Sequence, residues 1–277
     1  MIIGLIPVYR PKKEEVLNIE KYIDDLDFCY ILDDSGFPNE KLFEKLIKGR
    51  NDKIQYVCNK KNIGLCASVN NGFRLAIDKN ADWVLIMNPD GTFSNNAIDI
   101  YRNFIRNQFT DDVAIIAPIF NSDRRPKKAK PGYRNIKYAD MSGCLYNVSI
   151  LKEIGLYDKN TYFYGLDVEY CLRVIRNGYK IIECSEAVLN HHPAQTYHVK
   201  LFGKTVFKCG KDTPNRYYYQ FRSAYYIYKK YHDFYNFAFH IYKFLKVIFF
   251  FDNKKEYIKM IRSGILDAKS GYYGEKL

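Results

Sequence analysis

Residues 83–93, "WVLIMNPDGTF", join a strand-like apolar run to a polar turn that carries one carboxylate, Asp90. Residues 84–87 have the length and apolarity of a strand that is buried on both faces. Pro89 and Gly91 end that strand. Open α/β sheets bind ligands beyond the carboxyl ends of their strands, so Asp90 is predicted to lie at a ligand site. A local role, capping the turn beside Gly91, is the alternative.

The first 120 residues alternate strand-like and helix-like segments, which predicts an α/β fold with a mostly parallel central sheet flanked by helices. Three of the apolar runs end in short polar turns, at Pro7-Val8-Tyr9, Asp33-Asp34-Ser35 and Asn88-Pro89-Asp90. In a parallel sheet these turns would meet at one edge, the expected place for a nucleotide. The sequence has neither of the standard phosphate-binding loops, GxxxxGK[ST] or GxGxxG after the first strand. A divalent cation bound by Asp90 is therefore expected to neutralise the charge of the phosphates.

Later segments predict a basic loop at 121–137, a strand and short helix at 138–155, a helix at 166–177 and a strand or hairpin at 180–192. From about residue 212 the pattern is helical and rich in aromatic residues. The predicted organisation is a catalytic domain, 1–210, followed by a helical basic and aromatic extension, 211–277.

The net charge of +12 is concentrated in two zones of the 277 residues. Residues 121–137 contribute +6 and residues 201–277 contribute +9, which leaves −3 for the rest. Basic zones attract phosphates, nucleic acid or anionic lipid. The chain has no recognisable nucleic-acid-binding module, so no nucleic-acid partner is expected, although a basic and aromatic platform for stacked bases is the alternative for the tail. Seven cysteines without a CxxC pair, and no visible secretory signal, predict a cytoplasmic protein.

Carboxylates and histidines at predicted element ends are further candidates. Asp167 and Glu169 stand in the first turn of the helix at 166–177, where the helix dipole favours a carboxylate in any protein. The functional alternative is a general base that deprotonates an acceptor hydroxyl. His191 and His192 end a strand, so only one of them is expected to face a given site. Either packing or metal binding would explain that histidine.

The order of these motifs resembles a family 2 glycosyltransferase, particularly the bacterial rhamnosyltransferase-like branch. The matching segments are "IPVYRP", "ILDDSG", "NKKNIGLCASVNNGFRLA", "MNPDGT", "GLYDKNTYFYGLDVEYCLRVIRNGY", "PNRYYYQFRSAYYIYKKY" and "IRSGILDAKSGYYG". Two departures are visible. Asn88 replaces the first Asp of the family's metal-binding turn, and Leu166 and Glu169 stand where the catalytic segment usually has Glu and Asp.

The resemblance implies a GT-A-like fold and an inverting, metal-dependent transfer from a nucleotide-diphosphate sugar. Asp167 would be the catalytic base, and Asp90 with His191, or His192 as the fallback, would bind Mg²⁺ or Mn²⁺. The implied residues of the nucleotide-sugar site are Pro7, Val8, Tyr9, Asp33, Asn62, Asn88 and Asp90.

The same resemblance implies dTDP-rhamnose as the donor and a lipid-linked saccharide as the acceptor, in the biosynthesis of a cell-surface polysaccharide such as a capsule. UDP-galactose, UDP-galactofuranose and UDP-glucose are alternative donors. A non-catalytic sugar-binding relative is the alternative to an enzyme.

The aromatic tail predicts a protein that is peripheral on the inner face of the cell membrane. Residues 217–251 contain seventeen Tyr or Phe. On a helix over 236–251, Asn236, Lys243 and Lys246 fall in one sector and apolar residues occupy the other side. That pattern predicts an interfacial helix with lysines beside an apolar face, attracted to an anionic membrane surface. A homodimer interface is the alternative use of these aromatic residues.

Overall fold

The computed structural model describes residues 1–124, 126–191, 194–201 and 204–276. The chain forms two compact units, Met1–Tyr157 with Tyr170–His192, and Asp158–Glu169 with Pro193–Leu277. This division differs from the predicted boundary after residue 210. The second unit begins earlier because residues 158–169 pack on its helices and because an antiparallel hairpin precedes those helices.

The first unit is built on a central sheet. Its strands are β1 (Ile2–Val8), β2 (Phe28–Asp33), β3 (Ile54–Cys58), β4 (Trp83–Ile86), β5 (Thr92–Phe93), β6 (Val113–Asn121), β7 (Tyr133–Asn135), β8 (Cys144–Asn147) and β9 (Lys180–Asn190). Its helices are α1 (Lys13–Glu20), α2 (Glu40–Ile47), α3 (Leu65–Asp78), α4 (Ala97–Asn107), α5 (Val148–Ile154) and most of α6 (Leu166–Arg176).

The strand order is β3-β2-β1-β4-β8-β6-β9-β5, with β7 paired to β9. β1 pairs in parallel with β2 and β4, and β2 in parallel with β3. β8 runs antiparallel between β4 and β6, and β6 and β9 are parallel. The α/β fold class is therefore confirmed. The predicted convergence of the turns after β1, β2 and β4 on one sheet edge is confirmed too, since parallel neighbours end on the same side.

The core of the first unit follows from strands that are apolar on both faces. Every residue of β1, β2 and β4 is buried, as expected for strands covered by helices on both sides. Gly72 lets α3 lie close to the sheet, because a Cβ there would stand 2.6 Å from Leu32 Cδ1 and 3.0 Å from Leu5. The small residue in "VNNGF" is thus a packing requirement of this helix.

The second unit contains a hairpin and three helices. They are β10 (Gln195–Leu201), β11 (Lys204–Lys211), α7 (Pro214–Tyr231), α8 (Phe234–Phe250) and α9 (Lys254–Ser270). Thr213 and Asp233 cap α7 and α8, each accepting a hydrogen bond from a backbone N–H of the first turn. α7 and α9 approach closely at Gly264, where a Cβ would stand 2.3 Å from the Tyr218 carbonyl oxygen.

Two sequence expectations need correction here. The segment before α7, which was expected to end the catalytic domain, is an antiparallel hairpin of the second unit, because Gln195–Leu201 pairs with Lys204–Lys211. The predicted basic loop at 121–137 contains the short strand β7, which pairs with β9. As for the helices of the described residues, none combines the length and the apolarity that spanning a membrane requires.

Candidate functional site

The turn after β2 holds its two aspartates in place through the neighbouring loops. Asp33 is fully buried, and its carboxylate accepts hydrogen bonds from Ser35 N at 2.9 Å, Asn39 Nδ2 at 2.8 Å and Tyr56 Oη at 2.5 Å. Burial, together with the hydrogen bond to Asp33, raises the pKa of the Tyr56 hydroxyl, so the tyrosine stays a donor. Asp33 therefore has a fixed orientation, and its place in the nucleotide-sugar site stays a prediction.

Asp34 organises the loop that follows β3. Its carboxylate accepts hydrogen bonds from Asn59 Nδ2 and from the backbone N–H groups of Ile63 and Gly64, all at 2.9 Å. Asn62 Oδ1 also accepts from Gly64 N at 2.9 Å. Desolvation raises the pKa of the Asp34 carboxyl, although these donors oppose it. The Asn62 loop is thus held against the end of β2.

The turn after β1 provides an open aromatic surface beside the end of β2. Pro7 and Val8 are buried in the strand, whereas Tyr9 is exposed and the Arg10 guanidinium lies over its ring at 5.3 Å. Arg10 N donates to Ser35 Oγ at 2.7 Å, which ties the first turn to the second. Tyr9 is therefore the predicted member of this turn that a ligand could reach.

The Asn88-Pro89-Asp90 turn after β4 is held in place by Ser142. Asn88 N donates to Ser142 Oγ at 3.1 Å, and Ser142 is fully buried. Gly91 N donates to the Asn88 carbonyl at 3.0 Å and closes the turn. Asp90 is left on the outer side of this turn, with 53% of its side chain exposed.

The structure brings Asp90 and His191 together, as the resemblance implied. His191 Nδ1 lies 3.3 Å from Asp90 Oδ1, and the histidine side chain is 5% exposed. Burial lowers the pKa of the His191 imidazole, but Asp90 and Asp140 outweigh that effect and raise the pKa above its usual value. His192, the fallback ligand, lies outside the described residues.

Asp140 is a neighbour of this pair that the sequence analysis missed. Its carboxyl interacts electrostatically with both His191 and Asp90, and it accepts a hydrogen bond from Ser142 N at 3.4 Å. The available signal was the pairing of β8: Cys144 lies opposite Ile86 on β4, so the residues before β8 must lie beside the turn after β4. An antiparallel neighbour was not foreseen, and the segment was assigned only to a strand.

A divalent cation fits the Asp90 and His191 pair in its donor chemistry. Nδ1 of the buried His191 makes no hydrogen bond of good geometry within the described residues, and the Asp90 carboxylate at 3.3 Å is its charged neighbour. The Asp90 carboxylate is the kind of oxygen ligand that Mg²⁺ and Mn²⁺ prefer, and a neutral His191 imidazole beside it would add a nitrogen ligand. No three His, Cys, Asp or Glu side chains in the described ranges are grouped as a metal cage, so remaining ligands would have to come from phosphate and water.

The candidate base belongs to the second unit. Asp167 is half-buried in the first turn of α6, and its Oδ1 accepts from Val168 N at 2.8 Å. Glu169 is fully buried and accepts from Lys230 Nζ at 2.9 Å and from Tyr231 Oη at 2.5 Å. Glu169 is thus occupied in holding its segment to α7. Asp167 is the more open carboxylate, and its catalytic role stays a prediction.

Two curated proteins are similar to the chain in sequence. It is 24% identical over 253 residues to the dTDP-rhamnosyl transferase RfbF of Shigella flexneri, covering 83% of this chain and 81% of that protein. It is 22% identical over 218 residues to the low-salt glycan biosynthesis hexosyltransferase Agl10 of Haloferax volcanii, covering 70% of this chain and 69% of that protein. No protein-family model matches the chain.

A solved structure supports the fold. The structure of GalNAc-T7 with UDP, GalNAc and Mn²⁺ superposes with a TM-score of 0.56 at 16% identity over 74% of this chain. The match spans 45% of that larger chain, so it bears on the fold alone. With the sequence relatives, it confirms the resemblance that the motifs predicted: this chain is similar to known glycosyltransferases and has a GT-A-like α/β fold.

Proposed function

We propose that this protein is an inverting glycosyltransferase that transfers a sugar from a nucleotide-diphosphate donor. The first choice of donor is dTDP-rhamnose, which supplies L-rhamnose. The observation that carries the proposal is the convergence of three polar turns at one edge of the sheet, with Asp90 and His191 at 3.3 Å. The similarity to a dTDP-rhamnosyl transferase supports rhamnose, and the similarity to a hexosyltransferase keeps UDP-hexoses as alternatives.

In this proposal the first unit binds the donor. Asp33 orients the pyrimidine, Tyr9 covers the nucleoside, and Asn62 and Asn88 line the site. Asp90 and His191 would hold Mg²⁺ or Mn²⁺. The cation would supply positive charge to the leaving diphosphate, where negative charge develops as the bond breaks.

The proposed base is on α6. Asp167 takes the proton from an acceptor hydroxyl, whose oxygen attacks the anomeric carbon as the bond to the diphosphate breaks. A single in-line displacement of this kind inverts the anomeric configuration. The proposed acceptor is a lipid-linked saccharide of a cell-surface polysaccharide, and the proposed location is the cytoplasmic face of the membrane.

A panel of nucleotide sugars tests the proposal. With Mn²⁺ present, thermal stabilisation should be greatest with dTDP or UDP ligands, since binding to the folded state raises its stability by about 2.7 kcal/mol at a hundredfold excess over Kd. Release of the nucleoside diphosphate from dTDP-rhamnose should exceed that from UDP-hexoses. Stabilisation by ADP or GDP alone would contradict the assignment of a pyrimidine site.

A further inference from the structure

Helix α8 buries Asn236 and Lys246 together with Val247 and leaves many of its apolar residues exposed, unlike an ordinary surface helix, which buries its apolar side. At about 100° per residue, one sector of roughly 100° contains what we call the α8 outer face. Its members are exposed residues: Phe234, Ala238, Ile241, Tyr242, Leu245 and Phe249. Phe234 is 69% and Phe249 66% exposed. The face carries no charged residue over about 23 Å of helix.

The polar residues of α8 are directed into the second unit and bonded there. Lys243 Nζ donates to Gln220 Oε1 at 2.9 Å, and Lys246 Nζ donates to the Gly210 carbonyl at 3.1 Å. Asn236 and Lys246 are buried. This corrects the expectation that the lysines of this helix lie beside its apolar face and are attracted to anionic lipid. Both lysines of the helix find oxygen acceptors on neighbouring elements, so the orientation of α8 is fixed with its apolar side out.

The hairpin extends the apolar surface beyond α8. The ring centroid of Phe207 on β11 lies 4.9 Å from that of Phe250, which in turn lies 6.2 Å from that of Phe249 on the outer face. Val206, next to Phe207, is 58% exposed. Lys204 and Lys208 are exposed on the same strand. The surface is therefore a broad apolar area with lysines next to it, larger than the scattered apolar residues that any monomer exposes.

Charge indicates what covers this surface. Residues 201–277 hold fifteen Lys or Arg and six Asp or Glu. A second copy placed face to face would bring an equal positive charge to the interface, whereas a bilayer rich in anionic lipid brings the opposite charge. Each basic residue near such a surface contributes about 1 kcal/mol of attraction, and aromatic side chains are favoured at the boundary between headgroups and acyl chains.

We infer that the α8 outer face, with Val206 and Phe207 of the hairpin, is a docking surface for an anionic lipid bilayer. This deepens the peripheral location proposed above by naming the residues that enter the lipid. The helix lies in the plane of the interface with its apolar residues among the acyl chains. Its lysines bond inward, and the attraction to anionic lipid comes from lysines on neighbouring elements, such as Lys204 and Lys208.

Vesicle flotation tests the inference with the full-length protein. The protein should float with phosphatidylcholine vesicles that contain phosphatidylglycerol, at least tenfold more than with phosphatidylcholine alone. Leu245→Glu together with Phe249→Glu should reduce that binding at least tenfold, because two apolar side chains lose their burial and two negative charges are added. The matched control is Leu17→Glu, an exposed leucine on α1 of the first unit, which should bind like the wild type.

Two further measurements separate this inference from the proposed function. Sedimentation should show a monomer, and a tight dimer that the Leu245→Glu, Phe249→Glu variant dissociates would overturn the inference in favour of a subunit interface. Thermal stabilisation by dTDP or UDP with Mn²⁺ should be the same in that variant and in the wild type. Nucleotide stabilisation without vesicle binding would sink only the lipid surface, and vesicle binding without nucleotide stabilisation would sink only the proposed function.

Discussion

The sheet edge of the first unit and helix α8 of the second place polar and apolar residues in opposite ways. In the first unit the apolar strands are covered by the chain's own helices, and carboxylates are left at the strand ends. In α8 two lysines are bonded inside the unit, and phenylalanines are left outside. In both places we take groups that stay exposed, the Asp90 carboxylate and the apolar residues of α8, as predictions of a binding surface. An exposed carboxylate at the end of buried strands predicts a ligand site. Exposed apolar residues on a helix whose lysines bond inward predict a surface for a partner.

Removal of the Asp90 carboxylate should have the largest effect at the sheet edge of the first unit. Asp90→Ala should reduce transfer at least 10³-fold and abolish the Mn²⁺-dependent part of nucleotide binding, because the carboxylate beside His191 would be lost. The readouts are sugar transfer and thermal stabilisation by nucleotide with and without Mn²⁺. Asp111→Ala is the control. This exposed carboxylate precedes β6, at the edge of the sheet opposite to Asp90. Full activity in EDTA would contradict the metal assignment.

Substitutions of the two carboxylates in the first turn of α6 should separate a catalytic role from a structural one. Asp167→Asn should lower kcat by about 10²–10⁴-fold with donor binding nearly unchanged, the usual scale for a general base. Glu169→Gln should instead lower the melting temperature and have a smaller effect on kcat, because Glu169 is bonded to Lys230 and Tyr231. Equal losses of kcat in both variants, or loss of donor binding in Asp167→Asn, would show that the assignment is wrong.

Lys230 tests whether buried charge holds the second unit together. Its ammonium contacts Asp158 Oδ2 at 2.6 Å and Glu169 Oε1 at 2.9 Å. Lys230→Ala leaves the buried Glu169 carboxylate without its cation and should cost about 2–3 kcal/mol, below the full range for a buried pair because Lys230 is partly exposed. Urea unfolding measures the change. The neighbouring exposed Lys229→Ala should stay within about 0.5 kcal/mol, and equal effects of the two variants would argue against the network.

The smallest expected effect is a dependence of folding stability on pH that arises from Lys243 on α8. Burial, assisted by Lys246 and opposed by Asp212 and Asp167, lowers the pKa of Lys243 to about 8. Between this value and the unfolded value of 10.5 the unfolded state binds more protons, so the contribution of Lys243 to stability rises with pH in that window. Below pH 8 the folded state carries the full penalty of the half-buried charge.

Lys243→Met removes that titration. The melting temperature of the variant minus that of the wild type should therefore be about 2–4 °C higher at pH 7 than at pH 10.5. The lost hydrogen bond to Gln220 affects the variant at every pH and does not alter this trend. Thermal unfolding of both proteins across pH 7–10.5 checks the prediction, with Lys229→Met as the control. A difference that stays constant with pH would place Lys243 in a more solvated position.

The sheet was predictable because strands buried on both faces leave a continuous apolar signal. The runs that became β1, β2 and β4 end at turns whose meeting point follows from parallel pairing alone. Asp140 was not predictable in the same way, because its place depends on the antiparallel insertion of β8 next to β4. Pairing direction is a property of two distant segments, and a local pattern does not contain it.

The orientation of α8 escaped prediction for a related reason. The periodicity of 236–251 separates a polar sector from an apolar one, but it does not say which sector faces the protein. That choice is made by acceptors elsewhere, the Gln220 side chain on α7 and the Gly210 carbonyl on β11. The hairpin that carries Gly210 was itself not predicted, so the partner that turns the lysines inward was missing from the sequence analysis.

The pairing of Glu169 with Lys230 has a consequence for synthesis of the chain on the ribosome. The two residues are 61 positions apart, so Glu169 is made well before its cation. At about 5–20 residues per second, that interval lasts roughly 3–12 s. During that time the segment 158–169 has neither its lysine nor α7 to pack against. The candidate base on this segment therefore reaches its native surroundings only after the C-terminal helices have been translated.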